Sequence, residues 1–440
     1  MMEILRWKLL SNAEQDEVLK RPVVSNQAQL KAQVSEMLQK VRQNGNHALY
    51  AYTEKLDGAS LSNLRVSDAE LLEAGRAVSE QDLHLLKSVI ARIKHYHEAF
   101  LPSEQLVDTG DGVQCRRLYR PIQRVGLYVP GGSAPLISTL MMLAVPAQLA
   151  KCPVSVICTP VNKAGKVHPL LLVAAKLCGI NKIYKLGGAQ AIAAMAYGTE
   201  SVPKVDKIYG PGNSWVTEAK IQVSEDAMGA AIDMPAGPSE VLVIADKKAN
   251  PAFVAADLLA QAEHGPDSQV ILITESEGLA EQVITELNHQ QKTLSRQDIL
   301  QQSLQYARII VVEDIAEAIA INNRYAPEHL ILQVEDAKAC LPLIQTGGAV
   351  FMGAWTPEAL GDYVTGSNHV LPTYGHARSF SGLSVTDFMI AISVQEANKQ
   401  GIQAIGNLAM ALAEIEGLDA HKEAVKIRLE ALEKITLERV

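Results

Sequence analysis

The chain has 440 residues, 48% of them hydrophobic and 5% aromatic, with a formal net charge of -9 and a pI near 5.7. That length exceeds what one hydrophobic core serves, so two or more domains are expected. The acidic balance and the lack of a long Lys/Arg block argue against nucleic acid and anionic membranes as partners.

In chain order, Met1 to Leu10 is amphipathic, carries Glu3, Arg6 and Lys8, and lacks the apolar centre of a signal peptide. Ala28 to Phe100 has apolar residues at three- and four-residue spacing and predicts helices, with breaks at Gly45 and Gly58. Val113 to Tyr119 predicts a strand. From Val125 the pattern changes to short apolar runs that end in glycine turns and alternate with helical stretches. The runs are Val125 to Val129, Val154 to Cys158, Lys182 to Leu186 and Lys207 to Tyr209. Leu136 to Ala150, interrupted by Pro146 and Gln148, is too short for a membrane span and predicts a buried helix. The alternation resumes at Glu240 to Ala245 and continues through Gln269 to Ile273, Arg308 to Val312, His329 to Leu332 and Ala349 to Met352. Strands alternating with helices imply βαβ units and parallel sheets. The expected class is α/β, with two incomplete Rossmann-like parallel-sheet domains in series, a helical N-terminal region and a helical C-terminal arm. Beyond the Gly/Ser-rich loop at Ser379 to Ser384 the chain is expected to be helical to its end.

Four polar segments at the edges of these elements carry the chemistry. Gln261 and His264, three apart on a helix expected to end at Gly265-Pro266, share a face. Asp362 is expected in a loop after Gly361, and His421 near the start of the last helix. Two imidazoles, one carboxylate and one amide suit a divalent ion, zinc first, with manganese or cobalt not excluded. A helix-end His before Gly-Pro is also a common C-cap, so spacing alone leaves both readings open. Glu328-His329 follows Pro327 at a strand mouth, where open α/β sheets place their chemistry, and His titrates near neutral pH. Neighbouring side chains on a strand point to opposite faces, so only a bend brings both to one substrate. The plainer alternative is a loop carboxylate beside a satisfied, half-buried His.

Pro130-Gly131-Gly132, Gly187-Gly188-Ala189-Gln190 and Gly210-Pro211-Gly212-Asn213 lie where strands end and suit either a non-standard nucleotide site or tight turns. Neither GxGxxG nor a Walker motif occurs. The five cysteines (Cys115, Cys152, Cys158, Cys178, Cys340) form no CxxC pair, which fits a reducing cytosol. Cys152 or Cys158 as an aldehyde-oxidising thiol is an alternative that no motif favours.

With these segments assembled, the chain resembles the histidinol dehydrogenase family. The resemblance rests on Tyr128-Val-Pro-Gly-Gly-Ser-Ala-Pro135, Gly187-Gly-Ala-Gln-Ala191, Tyr209-Gly-Pro-Gly-Asn213 and Ile232-Asp-Met-Pro-Ala-Gly-Pro-Ser-Glu-Val-Leu-Val-Ile-Ala245. It continues through Gln261-Ala-Glu-His-Gly-Pro-Asp-Ser268, Tyr325-Ala-Pro-Glu-His329, Gly361-Asp362, Asn368-His-Val-Leu-Pro-Thr373 and Ala420-His421-Lys422. It implies oxidation of L-histidinol through L-histidinal to L-histidine, with two NAD+ used in one site. It implies one zinc per subunit on Gln261, His264, Asp362 and His421, and a catalytic pair Glu328 and His329. Ser239 and Glu416 match substrate-contacting positions, together with Gln261, His264, His329, Asp362 and His421. Tyr128, Gln190 and Asn213 match NAD-contacting positions. His369 is a neighbour of the site without an assigned role. The resemblance further implies a cytoplasmic homodimer whose C-terminal arm completes the partner's site. The expected division is an arm at 1–24, a main domain at 25–129 plus 239–383, an inserted NAD-binding domain at 130–238 and a dimerisation arm at 384–440. The rivals are a zinc/NAD enzyme acting on another diol or hydroxy acid, the thiol-dependent aldehyde dehydrogenase, and a non-catalytic α/β binding protein.

Overall fold

Short, mostly apolar runs suit strands with both faces covered, and that is how they fold. A computed structural model describes residues 3–21, 27–131, 135–235 and 237–437. Gly132, Ser133, Ala134 and Ala236 of the motifs above, and residues 22–24 of the expected N-terminal arm, lie outside the described residues. The strands are β1 (Ile4–Arg6), β2 (Gln105–Gly110), β3 (Val113–Pro121), β4 (Arg124–Tyr128), β5 (Val154–Thr159), β6 (Ile183–Lys185) and β7 (Lys207–Tyr209). There follow β8 (Ala231–Ile232), β9 (Glu240–Ala245), β10 (Gln269–Thr274), β11 (Arg308–Val311), β12 (His329–Gln333), β13 (Ala349–Met352) and β14 (Met389–Ala397). The chain divides into two compact units, residues 1–100 with 122–388 and residues 101–121 with 389–440.

The first unit holds two wholly parallel sheets, ordered β1-β11-β10-β9-β12-β13 and β6-β5-β4-β7-β8. Counted from β9 and from β4, both are wound 3-2-1-4-5, the Rossmann order without its sixth strand, with β1 added at one edge of the larger sheet. The two expected α/β units in series are therefore present and share one topology. Val241, Val243, Val270, Leu272 and Ile331 pack on helices Pro251–Ala262 and Glu277–Gln290. Their neighbours Leu242, Ile244, Ile271, Ile273, Leu330 and Leu332 pack on the other face, against helix Ile315–Tyr325. Each such side chain contributes about 1.5–3 kcal/mol by leaving water. In the other half Val34, Met37, Val41 and Leu49 of helix Gln27–Asp57 cover the sheet together with helix Gly188–Tyr197. That long helix kinks at Gly45 (φ 50°, ψ -130°) and stops before Gly58, the two breaks read from the sequence. A Cβ at Gly45 would strike the Glu200 carboxylate, which accepts the Asn46 N–H at 2.8 Å.

The second unit corrects the expectation of a wholly helical tail. Met389–Ala397 is a strand, paired antiparallel along its whole length with β3, which pairs in turn with β2. Ile390, Ile392 and Val394 alternate with small or polar residues, a period-two pattern that outweighs the polar composition. The helices then run Lys399–Ile415 and Asp419–Leu437. Among the described residues no helix is long and apolar enough to cross a membrane.

One buried histidine outside the site gives a stability prediction. His97 on helix Glu80–Glu98 is fully buried, and burial holds its pKa down to about 4. The folded state therefore prefers the neutral ring, and stability is lost as pH falls from about 6.5, the unfolded value, through 4. The linked loss is about 3 kcal/mol, from 1.36 kcal/mol per pKa unit. A His97→Gln variant is expected to lose less stability than the native chain between pH 7 and pH 4 in urea titrations. Parallel losses in the two proteins would contradict this.

Candidate active site and cofactor cleft

Glu328 and His329 stand where the turn after helix Ile315–Tyr325 enters β12. Ala326 takes a left-handed conformation (φ 56°) before Pro327, and this is the bend that extended geometry alone would not supply. As a result Glu328 Oε2 lies 3.6 Å from His329 Nδ1. One residue, Glu240 at the start of β9, fixes both side chains through its backbone. Its N–H donates to Glu328 Oε2 at 2.9 Å, and its carbonyl accepts from His329 Nδ1 at 3.0 Å. That bond assigns the ring proton to Nδ1 and leaves the Nε2 lone pair free. Nε2 is buried without a hydrogen-bond partner, 3.9 Å from Asp362 Oδ1. Burial presses the imidazole pKa down to about 3 and pushes the Glu328 carboxyl well above its ordinary range. The pair sits at the amino edge of the sheet, since His329 and Glu240 are the first residues of their strands. The expected place at a strand mouth is thus met, at the edge opposite to the carboxyl ends where open α/β sheets usually bind ligands.

A carboxylate-rich cluster adjoins the pair. His264, Glu358 and Asp362 each offer a ligand atom, and these lie within 4.8 Å of one another. Asp362 belongs to helix Glu358–Tyr363 and not to a loop, which stacks it one turn above Glu358. Gly361 permits this, because a Cβ there would collide with the Phe351 ring. Helix Pro251–Ala262 ends before His264, so Gln261 sits in its last turn and His264 just beyond it. The Gln261 amide oxygen faces both Glu358 oxygens. Turned end for end, its nitrogen donates to Glu358 and its oxygen accepts from Glu240 N at 3.0 Å. Acceptors face to face need that turn, a proton or a cation between them. Burial raises Asp362 to about 7 and Glu358 well above the carboxylate range. An amide, an imidazole and two carboxylates that resist ionising by themselves are a donor set suited to a divalent ion. Glu358 and Glu240 escaped the sequence reading. The four-residue step from Glu358 to Asp362 was the available signal for the first.

Ser239, just before β9, is half-buried, and its carbonyl accepts Gln269 N–H at 3.1 Å. His369 Nδ1 lies 2.8 Å from the Asp362 carbonyl, and its Nε2 lies 3.2 Å from Thr139 on helix Ile137–Leu149. Glu416 caps helix Lys399–Ile415 and His421 opens helix Asp419–Leu437. Both are exposed and belong to the second unit. The cysteines carry no sign of activation: burial pushes Cys152 up to about 12 and Cys158 higher still.

The five-stranded sheet bears a cleft of about 970 Å³ whose walls include Tyr128, Thr159, Gly188, Gln190 and Asn213. These residues end β4 and β5 or follow β6 and β7, so the cleft lies at the carboxyl edge, at the point where strand order reverses. Tyr128, Gln190 and Asn213, far apart in sequence, thus share one cavity. Tyr128 Oη accepts Gly188 N–H at 3.0 Å, and Gln190 Oε1 is buried without a partner. Asn213 caps helix Ser214–Glu225 by accepting from Trp215 and Val216 N–H at 3.1 Å.

Two Rossmann-like sheets, one bearing a nucleotide-sized cleft and the other a buried imidazole–carboxylate cluster, define an α/β oxidoreductase. A family model described as histidinol dehydrogenase matches residues 19–429. The histidinol dehydrogenase of Xanthomonas euvesicatoria pv. vesicatoria (strain 85-10) is 53% identical over 428 residues, covering 97% of this chain and 99% of that protein. The enzyme of the same name from Aliivibrio fischeri (strain ATCC 700601 / ES114) is 49% identical, covering 100% and 99%. A crystal structure of histidinol dehydrogenase from Elizabethkingia anophelis superposes with a TM-score of 0.94 at 44% identity, covering 98% of each chain. The chain belongs to the histidinol dehydrogenase family.

Proposed function

We propose that the chain oxidises L-histidinol through L-histidinal to L-histidine, the last two steps of histidine biosynthesis, in one zinc- and NAD-dependent site. The observation that carries this reading is the free, buried Nε2 of His329, aimed at a cluster whose donors suit a cation. Gln261, His264 and Asp362 would hold zinc, with Glu358 against Gln261. His421 would complete the set and Glu416 and Ser239 would grip the substrate. In a homodimer the partner subunit's C-terminal arm would supply the first two of these three. The expected NAD-binding domain at 130–238 would extend back to include β4, the central strand of the five-stranded sheet, with Tyr128, Gln190 and Asn213 on the cofactor. When bound, zinc supplies Lewis-acid orientation of the substrate, and NAD supplies the hydride acceptor, two per substrate.

The chain's own residues move the protons. With Nδ1–H held by the Glu240 carbonyl, His329 Nε2 takes the substrate hydroxyl proton as hydride leaves the same carbon. The aldehyde stays in place. Glu328, made more basic by burial, takes a proton from water as that oxygen adds to the carbonyl carbon, while His329 Nε2 returns its proton to the carbonyl oxygen, giving the gem-diol and freeing Nε2 again. His329 Nε2 then takes a gem-diol proton as the second hydride leaves. One water enters, two hydrides and three protons leave, and the alcohol becomes a carboxylate. Retention of a reactive aldehyde makes a single enclosed site useful.

The test is NADH yield per L-histidinol consumed, run to completion, repeated after chelation and again after adding zinc. Two NADH, lost with the metal and restored by zinc, is the expected result. One NADH would remove the water-activating role of Glu328, and none from metal-loaded protein would exclude histidinol. Asp362→Asn is expected to weaken zinc binding by at least about 10- to 100-fold, the loss typical even of partners outside the ligand shell. Competition against a chromophoric chelator measures it. Unchanged affinity would take Asp362 out of the ligand set.

A further inference from the structure

The cleft contains a second unsatisfied acceptor besides Gln190. Asp57 is the last residue of helix Gln27–Asp57, lines the cleft, and has its Oδ2 buried with no hydrogen-bond partner. A buried carboxylate oxygen without a donor is a costly arrangement unless a ligand provides one. Asp57 is close enough to Tyr128 for its charge to act on the phenol, and Tyr128 Oη in turn holds the N–H of Gly188. Gly188 opens helix Gly188–Tyr197, whose N-cap Gly187 offers no side-chain cap. An uncapped helix start is where a pyrophosphate settles, and the sugars of a dinucleotide flank its pyrophosphate.

Which sugar meets Asp57 follows from the walls of the cleft. The nicotinamide must reach His329. The wall tied to that cluster holds Pro130, Gly131 and Pro135, the last just before helix Ile137–Leu149, which leads through Thr139 and His369 to Asp362. Asp57 is on a different wall, which leaves it the adenosine end. We propose that Asp57 binds the 2′-hydroxyl of the adenosine ribose and so selects NAD against its 2′-phosphorylated form. A carboxylate accepts from a hydroxyl and repels a phosphate in the same place. The cations nearby agree with this selection. Among the described residues no arginine lines the cleft; of its three lysines, Lys40 and Lys166 are ion-paired to Glu36 and Glu73, and the charge of Lys55 acts on Glu36.

This inference rests on the cleft being the NAD site, so its test separates the two. Calorimetric titration of the zinc-loaded enzyme with NAD+, its 2′-deoxyadenosine analogue and NADP+ would be run on the native chain, Asp57→Asn and Gln190→Ala. Native protein is expected to prefer NAD+ over both others. Asp57→Asn is expected to weaken NAD+ binding by about 10- to 100-fold, the size of a hydrogen bond to a charged group. It should also bind NAD+ and the 2′-deoxy analogue alike and narrow the margin against NADP+, while Gln190→Ala weakens all three together. A preference for NAD+ over the deoxy analogue that survives in Asp57→Asn, with Gln190→Ala still weakening binding, overturns the role of Asp57 alone. Unchanged NAD+ affinity in both variants overturns the cleft assignment and this proposal with it.

Discussion

A His329→Asn enzyme is expected to lose turnover by about 10²- to 10⁴-fold in both oxidation steps, the range of general acid–base catalysis, with its unfolding transition unchanged. The same Nε2 serves both hydride transfers, so histidinol and histidinal should suffer alike. Glu328→Gln separates the steps. An amide still accepts the Glu240 N–H and still fills the buried space, but it takes no proton from water. The variant is therefore expected to oxidise histidinol to the aldehyde and stall, giving one NADH in place of two. Single-turnover measurements from each substrate distinguish the cases. A Glu328→Gln enzyme with equal losses in both steps would mean that Glu328 only positions His329.

The largest stability effect is expected at Arg21. Its guanidinium binds Glu240 at 2.5 and 3.0 Å, donates to the carbonyls of Tyr325 (2.9 Å) and Ala326 (3.2 Å), and stacks 3.9 Å over the Tyr325 ring. Burial opposes its charge, and Glu240 more than restores it. Both side chains are nearly inaccessible. Removing one member of such a pair strands the other, so Arg21→Met is expected to destabilise the chain by about 3–5 kcal/mol. Urea denaturation of native and variant protein measures this. Because Glu240 holds the side chains of both Glu328 and His329 and Ala326 sets the bend before them, turnover should fall at temperatures where the variant remains folded. A loss under 1 kcal/mol with full activity would make Arg21 a surface ornament.

Most of the parallel strands were legible because each centres on a short run of consecutive apolar residues, several of them followed by glycine turns. Glu328 and His329, the cluster residues Gln261, His264 and Asp362, and the three cleft residues were legible as motifs. Their grouping was not, because the contacts are long-range: Arg21 meets Glu240 across 219 positions. Glu358 looked like any helix-start acid until the helix stacked it beneath Asp362. The strand at 389–397 was missed because most of it is exposed, so no apolar run announced it. The side-by-side placement of Glu328 and His329 depended on a left-handed alanine, which composition does not reveal.

The two sheets are wound alike and used at opposite edges, and this has an electrical meaning. Helices in such layers run back against their strands, so the amino edge of a sheet gathers helix carboxyl ends, which carry partial negative charge. The carboxyl edge gathers helix amino ends, which carry partial positive charge. Gln261 and Asp362 stand in the last turns of their helices, at the pole that welcomes a cation. Gly188 and Asn213 stand at helix starts, at the pole that welcomes an anion. A fold repeated within one chain can thus serve two ligands of opposite charge by presenting its other pole, with no change in its winding.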